Sequence, residues 1–284
     1  MSVASGTLYV VATPIGNLED ITMRALRILK EVNLVAAEDT RHSRKLFARY
    51  GIETPLISYH DHNEQQRQQE LVERLQKGDD IALISDAGTP CIADPGYRLI
   101  AACHLAAINV VPIPGPSAVV TALSAAGVST ERFAFENYLP SKAKARQEFL
   151  KSVVGEPRTL AFYETPHRLQ ATLADFESIF GAERMFVVAR ELTKLHEEFF
   201  RGTIAEAVAR FTHQPARGEL VLILPPEQRR GPKRGMREAL RELLYESDLS
   251  RREAVKLIAS EYGLSSSDVY RESLRLTEEE ENDE

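Results

Sequence analysis

Residues 80–105 read DIALISDAGTPCIADPGYRLIAACHL, and this segment divides into three parts of different composition. The apolar run at 81–84 predicts a short buried strand, which stops abruptly before Asp86. Two Gly and two Pro follow within nine residues, together with Asp and Thr, and this composition is typical of an ordered loop. The stretch after Pro95 has the spacing of a helix. The segment therefore predicts a strand–loop–helix unit whose loop has a specific conformation.

Similar units surround this one. The stretches TLYVVATPIGN, LVAAED, PLISYHDHN and INVVPIPG predict four more strands, and helical patterns separate them over the first 120 residues or so. Such alternation indicates a mostly parallel sheet with helices on both faces. Ligands of these sheets bind beyond the carboxyl ends of the strands. We therefore expect the loops at 13–18, 38–42, 85–96 and 114–118 to gather at one sheet edge.

The rest of the chain predicts four further segments. RTLAFYE, RMFVVARE and GELVLIL indicate strands of a second α/β domain. Two short helices joined at YGLSS resemble a helix-turn-helix. The expected organisation is an N-terminal α/β domain at 1–120, a second α/β domain at 121–224, a linker at 225–235, a helical appendage at 236–276 and an acidic disordered tail at 277–284.

Composition narrows the class of protein. No apolar run is long enough to span a membrane, and the N-terminus lacks the pattern of a secretory signal. Two cysteines in 284 residues predict no disulfide framework, so we expect a cytoplasmic protein. The net charge is −7, but residues 225–276 carry eleven Lys and Arg against nine Asp and Glu. A local basic surface is compatible with binding nucleic acid.

The loops exclude two common nucleotide sites. The sequence contains no G-x-x-x-x-G-K-[ST] and no G-x-G-x-x-G after the first strand, so neither a P-loop nor the dinucleotide fingerprint is present. The loops contain few cations, and their Gly and Pro residues favour rigid turns and close backbone approach. They suit a nucleoside-like ligand, or one with a cationic centre near carboxylates.

Six motifs occur in order: YVVATPIGNLEDIT, AAEDTRHSRKL, ISDAGTPCIADPGYRLI, PIPGPSAVVTALSAAG, FYETPHRL and ARELTKLHEE. Together they resemble the ribosomal RNA small subunit methyltransferase I family, which belongs to the tetrapyrrole-methylase-like enzymes that use S-adenosylmethionine (SAM). The resemblance covers residues 7 to about 224 and, more weakly, the C-terminal helices. It implies two α/β domains with SAM in the cleft between them, and a cytoplasmic homodimer. It also implies 2′-O-methylation of a cytidine in the decoding centre of 16S rRNA in the small ribosomal subunit.

The resemblance also implies a set of cofactor-binding residues. They are Pro14, Ile15 and Gly16 at the floor, Asp86, Gly88, Thr89 and Ile92 in the SDAGTP loop, Ser117 and Ala118 in the next loop, and Tyr163 and Ala189 from the second domain. The chain departs from the family at Asn137, where Gly is usual. Asparagine tolerates positive φ, so we expect the turn to be kept.

Methyl transfer to a ribose hydroxyl requires alignment and a group that handles the proton. Asp39, Glu164, Glu191 and Lys194 all follow strand ends, and we favour Glu191 and Lys194 as the proton-handling or orienting pair. The alternative is that RELTK forms only an ion-pair network. A neutral Lys194 would need a lowered pKa; as an ammonium it would instead hold phosphate.

Candidates for RNA contacts are arginine and lysine residues, and each would equally serve in a salt bridge. They are Arg41, Arg168 and Arg190 near the cleft, and Arg251, Arg252 and Lys256 in the appendage, with further basic residues Arg229, Arg230, Lys233 and Arg234 in the linker. His60 and His62 lack a completing set of ligands, so we expect no metal.

Two other functions remain open at this stage. A tetrapyrrole methyltransferase of the same fold would not require the basic appendage. A non-catalytic RNA-binding module would not require four ordered loops of nucleoside size. Stabilisation of the fold by SAM would separate an enzyme from a bare RNA binder.

Overall fold

The structure is a computed structural model that describes residues 5–227, 235–247, 249–262 and 264–283. The chain divides into two compact units, Met1–Glu227 and Gln228–Glu284. This division lies within the residues that the sequence predicts as a linker. The basic linker residues Arg229, Arg230, Lys233 and Arg234 lie outside the described residues.

The first sheet has five strands in the order β3-β2-β4-β1-β5, and every neighbouring pair is parallel. The strands are β1 Thr7–Val11, β2 Leu34–Ala37, β3 Leu56–Ser58, β4 Ile81–Ile84 and β5 Asn109–Ile113. The helices between them are α1 Met23–Glu31, α2 Thr40–Tyr50, α3 Glu64–Gln76 and α4 Tyr97–Leu105, and a 3₁₀ turn spans Leu18–Asp20. The predicted parallel α/β arrangement is confirmed, and the carboxyl ends of its strands lie at one edge.

Both faces of this sheet are buried, which explains the continuous apolar strands. On one face Ala25 and Leu29 of α1 pack with Val35 of β2. On the other face Leu75 of α3 and Cys103 of α4 pack in a separate cluster, so Cys103 is a core residue as expected.

The second sheet has the order β6-β7-β10-β8-β9. Its strands are β6 Phe133–Tyr138, β7 Thr159–Glu164, β8 Met185–Arg190, β9 Glu198–Thr203 and β10 Leu220–Leu224. Its helices are α5 Ala118–Ala125, α6 Ala143–Ser152, α7 Pro166–Phe180 and α8 Ile204–His213. Only β6 and β7 are parallel; the other pairs are antiparallel. The sequence EFFRGT of β9 carries two charged residues in six, and we did not predict a strand there.

Helix α5 connects the two sheets in sequence, and the expected domain division at residue 120 lies inside it. Its apolar side chains Val119 and Leu123 are buried in one cluster with Ala161 of β7 and Val221 of β10. Helix α5 therefore packs on the second sheet although it follows the last strand of the first.

The C-terminal unit consists of α9 Met236–Tyr245, α10 Arg251–Tyr262 and α11 Ser266–Asp283. Its own apolar core includes Leu240, Ile258 and Val269. Helix α11 continues through 277–283, where the sequence led us to expect a disordered tail. The physical reason is that glutamate, which fills 278–281, has a high helix propensity. Within the described ranges, no helix is both long and apolar enough to cross a membrane.

Candidate active site

Three loops at the edge of the first sheet are joined by hydrogen bonds into one wall. The backbone N–H of Thr13 donates to the Gly88 carbonyl at 2.8 Å, and the Gly88 N–H donates back at 3.0 Å. The Thr13 hydroxyl donates to the Ser85 carbonyl at 3.1 Å, and Thr89 Oγ1 donates to the Pro116 carbonyl at 3.1 Å. The predicted gathering of the loops after β1, β4 and β5 is therefore confirmed.

The loop after β4 adopts a costly backbone conformation. Gly88, Cys91, Ala93 and Gly96 all have positive φ, at 81°, 70°, 69° and 137°. For Cys and Ala this costs roughly 1–2 kcal/mol each. A Cβ on Gly96 would lie 2.6 Å from Cys91 Sγ, so no larger residue fits there without movement. Strain of this kind persists only where the surroundings fix it, and it is frequent at binding sites.

A first cavity opens between this wall and the second sheet. It contains about 880 Å³ of open space, including the part that is continuous with solvent. Its lining comes from the ends of both sheets and includes Ile15, Glu38, Asp86, Ala87, Gly88, Thr89, Ile92, Ala93, Asp94, Ser117, Ala118, Tyr138, Tyr163, Leu192, Glu219, Leu220 and Val221.

This lining is acidic. Glu38, Asp86, Asp94 and Glu219 contribute carboxyl groups, whereas no Lys, Arg or His lines the cavity among the residues that the structure describes. Burial, together with the nearby Glu38, raises the pKa of Asp94 to about 6. Burial likewise raises the pKa of Glu38. A bound cation would offset this repulsion, so the cavity favours a positively charged ligand.

Backbone hydrogen bonds hold two of these acids in place. The Asp39 N–H donates to Asp86 Oδ1 at 2.9 Å, and the Asp86 N–H donates to Glu38 Oε2 at 3.2 Å. Because Glu38 follows β2 and Asp86 follows β4, these bonds join adjacent strand ends. The carboxylates are thus fixed before any ligand binds.

The second sheet contributes two tyrosines to the cavity. The rings of Tyr138 and Tyr163 lie 5.4 Å apart at 59°, and burial raises the pKa of Tyr163 to about 12. Asn137, which precedes Tyr138, has φ 59°, and its Oδ1 accepts the Tyr138 N–H at 2.7 Å. The expectation that asparagine keeps the positive-φ turn is confirmed.

A second cavity adjoins the first and has about 920 Å³ of open space. The two cavities share Ile15, Asp86, Ala87 and Glu219. The remainder of the second lining consists of Thr13, Pro14, Gly16, Leu18, His42, Ser43, Lys45, Leu46, Ile84, Ser85 and Lys194. Three of these side chains, His42, Lys45 and Lys194, are basic, whereas the shared Asp86 and Glu219 are acidic, so the second lining has mixed charge.

Lys194 lies at the end of a strained turn after β8, in which Glu191 and Thr193 have φ 50° and 65°. Its Nζ contacts Glu191 Oε1 at 2.9 Å and Glu219 Oε2 at 3.1 Å. Burial acts to lower the pKa of Lys194, but the two carboxylates outweigh it and the net pKa is raised. Lys194 is therefore an ammonium, and the neutral base that we considered from the sequence is not supported.

Two glycines allow this turn to pack closely. A Cβ on Gly16 would lie 2.6 Å from Lys194 Cγ and 2.8 Å from Thr193 Oγ1, and the Asn17 N–H donates to that hydroxyl at 3.0 Å. A Cβ on Gly218 would lie 1.8 Å from Glu191 Oε1. The loop after β1 is thus in direct contact with the turn after β8.

The predicted cofactor residues separate into three groups. Eight of the eleven line the first cavity: Ile15, Asp86, Gly88, Thr89, Ile92, Ser117, Ala118 and Tyr163. Pro14 and Gly16 line the second cavity together with Lys194. Ala189 lines neither, because its side chain is fully buried in the cluster beneath Tyr163. Glu191 also lines neither cavity, since its carboxylate lies against Gly218 and Lys194.

The arginines proposed near the cleft all have partners within the chain. Arg41 is 85% exposed and forms a two-point pair with Asp39, whose pKa the guanidinium holds well below its usual range. Arg168 donates to the carbonyls of Leu139 and Pro140. Arg190 pairs with Glu198 at 2.7 Å. None of the three lines either cavity, which favours their reading as salt-bridge residues.

The appendage candidates lie on α10. Arg251 donates to the Thr277 hydroxyl of α11 at 2.9 Å, so it supports the helical unit itself. Arg252 and Lys256 are exposed and one helical turn apart. The rings of His60 and His62 meet edge to face at 5.9 Å, and the described residues contain no group of three metal-ligating side chains.

Four polar residues of the first cavity were absent from the sequence-based set: Glu38, Asp94, Tyr138 and Glu219. Glu38 and Asp94 belong to motifs that we quoted, so a search for every carboxyl group in the loops after strands would have found them. Glu219 follows a long, ordinary loop, and the sequence around it carries no signal of its role.

Comparison with known proteins defines the class. The family model described as Tetrapyrrole (Corrin/Porphyrin) Methylases matches residues 7–208. The solved structure of a cobalt precorrin-4 methyltransferase is similar with a TM-score of 0.60 at 16% identity, over 77% of this chain and 94% of that chain. Identity this low shows the fold alone. The two sheets and the cleft between them are thus those of a tetrapyrrole methylase.

Relatives within that class are much more similar. Ribosomal RNA small subunit methyltransferase I of Synechocystis sp. is 50% identical over 275 residues, which are 95% of this chain and 98% of that protein. The protein of the same name from Pasteurella multocida is 48% identical over 277 residues, with 96% and 99% covered. The chain belongs to the ribosomal RNA small subunit methyltransferase I family, as the sequence motifs indicated.

Proposed function

We propose that this protein transfers a methyl group from SAM to the ribose 2′-oxygen of a cytidine in 16S rRNA of the small ribosomal subunit. The observation that carries the proposal is the acidic first cavity, bounded by strained loops and free of lining cations among the described residues. The names of the relatives indicate that the acceptor is ribosomal RNA. The family resemblance of the sequence motifs implies that the acceptor atom is the 2′-oxygen of a cytidine.

The first cavity fits SAM in its charge and its shape. SAM carries a sulfonium and an ammonium, which suit a lining that includes Asp86 and Asp94. Its apolar parts would lie against side chains such as Ile15, Ala118 and Tyr163. We assign binding to Ile15, Asp86, Gly88, Thr89, Ile92, Ser117, Ala118 and Tyr163. Bound SAM would supply an activated methyl group and leave as a neutral thioether.

The residues of this chain must then orient the acceptor. Lys194, as an ammonium in the second cavity, would contact the RNA and fix its approach. Glu191 would act by holding Lys194, because its carboxylate lies 2.9 Å from Nζ but outside both cavities. Positioning of this kind accounts for a large part of the rate of a transfer between two bound molecules.

The decisive experiment offers labelled SAM and the protein to small ribosomal subunits that lack the modification, followed by nuclease mapping of the labelled nucleotide. The expected result is one labelled cytidine whose 3′-phosphodiester resists hydrolysis, because a methylated 2′-oxygen cannot attack the phosphorus. Label on a base, or on no RNA at all, would contradict the proposal. Parallel reactions with free rRNA and with a tetrapyrrole acceptor would distinguish the form of the substrate and the alternative activity.

The proposal includes a cytoplasmic homodimer, which the family resemblance implies. Light scattering on the purified protein at micromolar concentration would measure the mass of the particle. Twice the chain mass of 31.8 kDa is expected, and a particle of single-chain mass would contradict it.

A further inference from the structure

The second cavity contains basic residues of two kinds. Lys194 is neutralised by Glu191 and Glu219. Lys45, by contrast, is exposed on α2, and within the described ranges its ammonium forms neither an ion pair nor a hydrogen bond. His42 precedes Lys45 by three residues, so the two side chains lie on the same face of α2. The mouth of the cavity thus presents a cation and a ring N–H without an internal acceptor.

The lining of this cavity also contains apolar side chains. They are Pro14 and Leu18 from the loop after β1 and Leu46 from α2 itself. A flat aromatic group such as a nucleobase would bury apolar surface there, while an attached phosphate would remain near α2. A small inorganic anion would leave these side chains without contact, so the lining as a whole favours a nucleotide.

The position of the cavity relative to the first one is equally specific. Ile15, Asp86, Ala87 and Glu219 face both spaces. A transfer reaction requires donor and acceptor atoms about 3–3.5 Å apart. Ligands that occupy two cavities can satisfy this requirement only where the cavities adjoin, at the residues that line both.

We propose that the second cavity receives the target nucleotide of the RNA, displaced from its neighbours, with its phosphate at Lys45 and His42 and its ribose at the shared wall beside Asp86. This inference rests on the proposed function, which supplies the RNA and the methyl donor. It assigns His42 and Lys45 of α2 as the phosphate-binding residues of the cleft, rather than Arg41 of the same helix or Arg168 and Arg190.

The test compares Lys45→Gln with Arg49→Gln. Both variants lose one positive charge from the exposed face of α2, but Arg49 does not line the cavity. Methyl transfer to unmodified small subunits is measured over a range of RNA and salt concentrations, and SAM affinity is measured by calorimetry. A Lys45→Arg variant shows whether charge alone restores binding.

Lys45→Gln is expected to raise the KM for the subunit about tenfold and to lower the salt slope of log affinity by about 0.7–0.9, as for one lost phosphate contact. Arg49→Gln should stay within about twofold of wild type, Lys45→Arg should recover most of the loss, and SAM affinity should not change. Equal behaviour of Lys45→Gln and Arg49→Gln, with an active wild-type protein, would overturn the inference alone. A wild-type protein that methylates no subunit RNA would instead overturn the proposed function.

Discussion

The two cavities share a wall but differ in charge. The first has four carboxyl side chains and, within the described part of the chain, no basic side chain in its lining; the second has His42, Lys45 and Lys194 beside the shared acids Asp86 and Glu219. Basic side chains thus enter the lining only on the side of α2 and of the turn after β8. If the proposals above hold, this difference favours a cationic cofactor in the first cavity and an anionic group beside α2 in the second.

The cost of this arrangement differs between the two sides. The first cavity is bounded by a loop with four positive-φ residues and contains carboxyl groups that repel one another. The second is lined by α2, a regular helix between its caps Asp39 and Gly51, and by Lys194 at the end of a turn with two positive-φ residues. More positive-φ residues and the repulsion between carboxyl groups thus belong to the first cavity, and we expect substitutions there to have the larger effects.

Gly88→Val tests the first cavity most directly. Valine at φ 81° is strained, and its Cβ would lie 3.4 Å from Ile15 Cγ2, with two methyl groups extending beyond it. We expect SAM affinity to fall at least about 100-fold, which corresponds to about 2.8 kcal/mol. Calorimetry on folded protein measures this loss.

The matched control is Gly51→Val. Gly51 has φ 59°, and a Cβ there would meet nothing within 4 Å, so the substitution introduces backbone strain without filling a cavity. SAM affinity in this control should remain near that of wild type. A Gly88→Val protein that is folded and binds SAM as well as the control would show that the loop after β4 does not hold the cofactor.

Lys194→Met tests whether the ammonium that follows β8 of the second sheet is needed to position the residues that line both cavities. The substitution removes the ammonium from Glu191 and Glu219, and Glu191 keeps the Glu219 backbone N–H as a donor. Single-turnover methyl transfer should fall about 100-fold while SAM affinity changes little. Because the pKa of Lys194 is raised, no loss of its proton should be visible in the pH profile near neutrality.

Glu191→Gln and Gly218→Ala should act in the same direction as Lys194→Met, since each disturbs the carboxylate that holds the ammonium. If all three variants transfer methyl groups at a rate near that of wild type, the contact between Glu191 and Lys194 has only a structural role. Loss of SAM affinity in parallel with rate would instead move Lys194 to the cofactor side of the wall.

The site could be located from the sequence to different degrees. Parallel strands must present their carboxyl ends together, so the continuous apolar runs of β1, β2, β4 and β5 predict the loop cluster. The side chain of Ala189 is buried and lines neither cavity, and its role as a cofactor residue stays a prediction. Its orientation depends on how β8 pairs with its neighbours, and a continuous apolar strand does not reveal which face each residue takes. The charge separation also remained hidden, since the burial of Asp94 and the approach of Glu219 to Lys194 depend on distant segments.

The titration of Asp94 is expected to make ligand binding in the first cavity depend on pH. Its pKa of about 6 lies above the ordinary value of 3.8, so between these values it is protonated in the folded protein and ionised in the unfolded chain. Its contribution to stability is therefore lost as pH rises through this window. A cationic ligand favours the ionised form, so SAM affinity should rise with pH through about 6 and then level off.

Calorimetry at pH 5 and pH 8 measures this dependence. The wild-type affinity should be about tenfold lower at pH 5, and Asp94→Asn should remove most of the difference. Glu53→Gln removes an exposed carboxylate outside the cavity and should leave the pH dependence intact. A wild-type affinity that is equal at both pH values would show that the cation does not lie near Asp94.

The smallest effect is expected from substitutions in the appendage. They test whether RNA is also held outside the cleft. Arg252 and Lys256 are exposed on α10, whereas Arg251 is hydrogen-bonded within its own unit. The double substitution Arg252→Gln, Lys256→Gln removes two candidate phosphate contacts. The salt slope of log RNA affinity should therefore fall by about 0.7–0.9 for each contact, with SAM affinity unchanged.

A charge-matched control separates a contact from a general loss of positive charge. Arg271 and Arg275 on α11 each pair with an acid three residues earlier, so Arg271→Gln with Arg275→Gln removes the same charge from paired positions. If the α10 variant and this control lower the slope equally, the appendage attracts RNA only by its net charge. If only the α10 variant lowers it, α10 binds phosphate directly, and the protein has an RNA-binding surface besides the second cavity. If neither changes the slope, RNA is held by the cleft, and the difference between the two cavities alone determines how it binds.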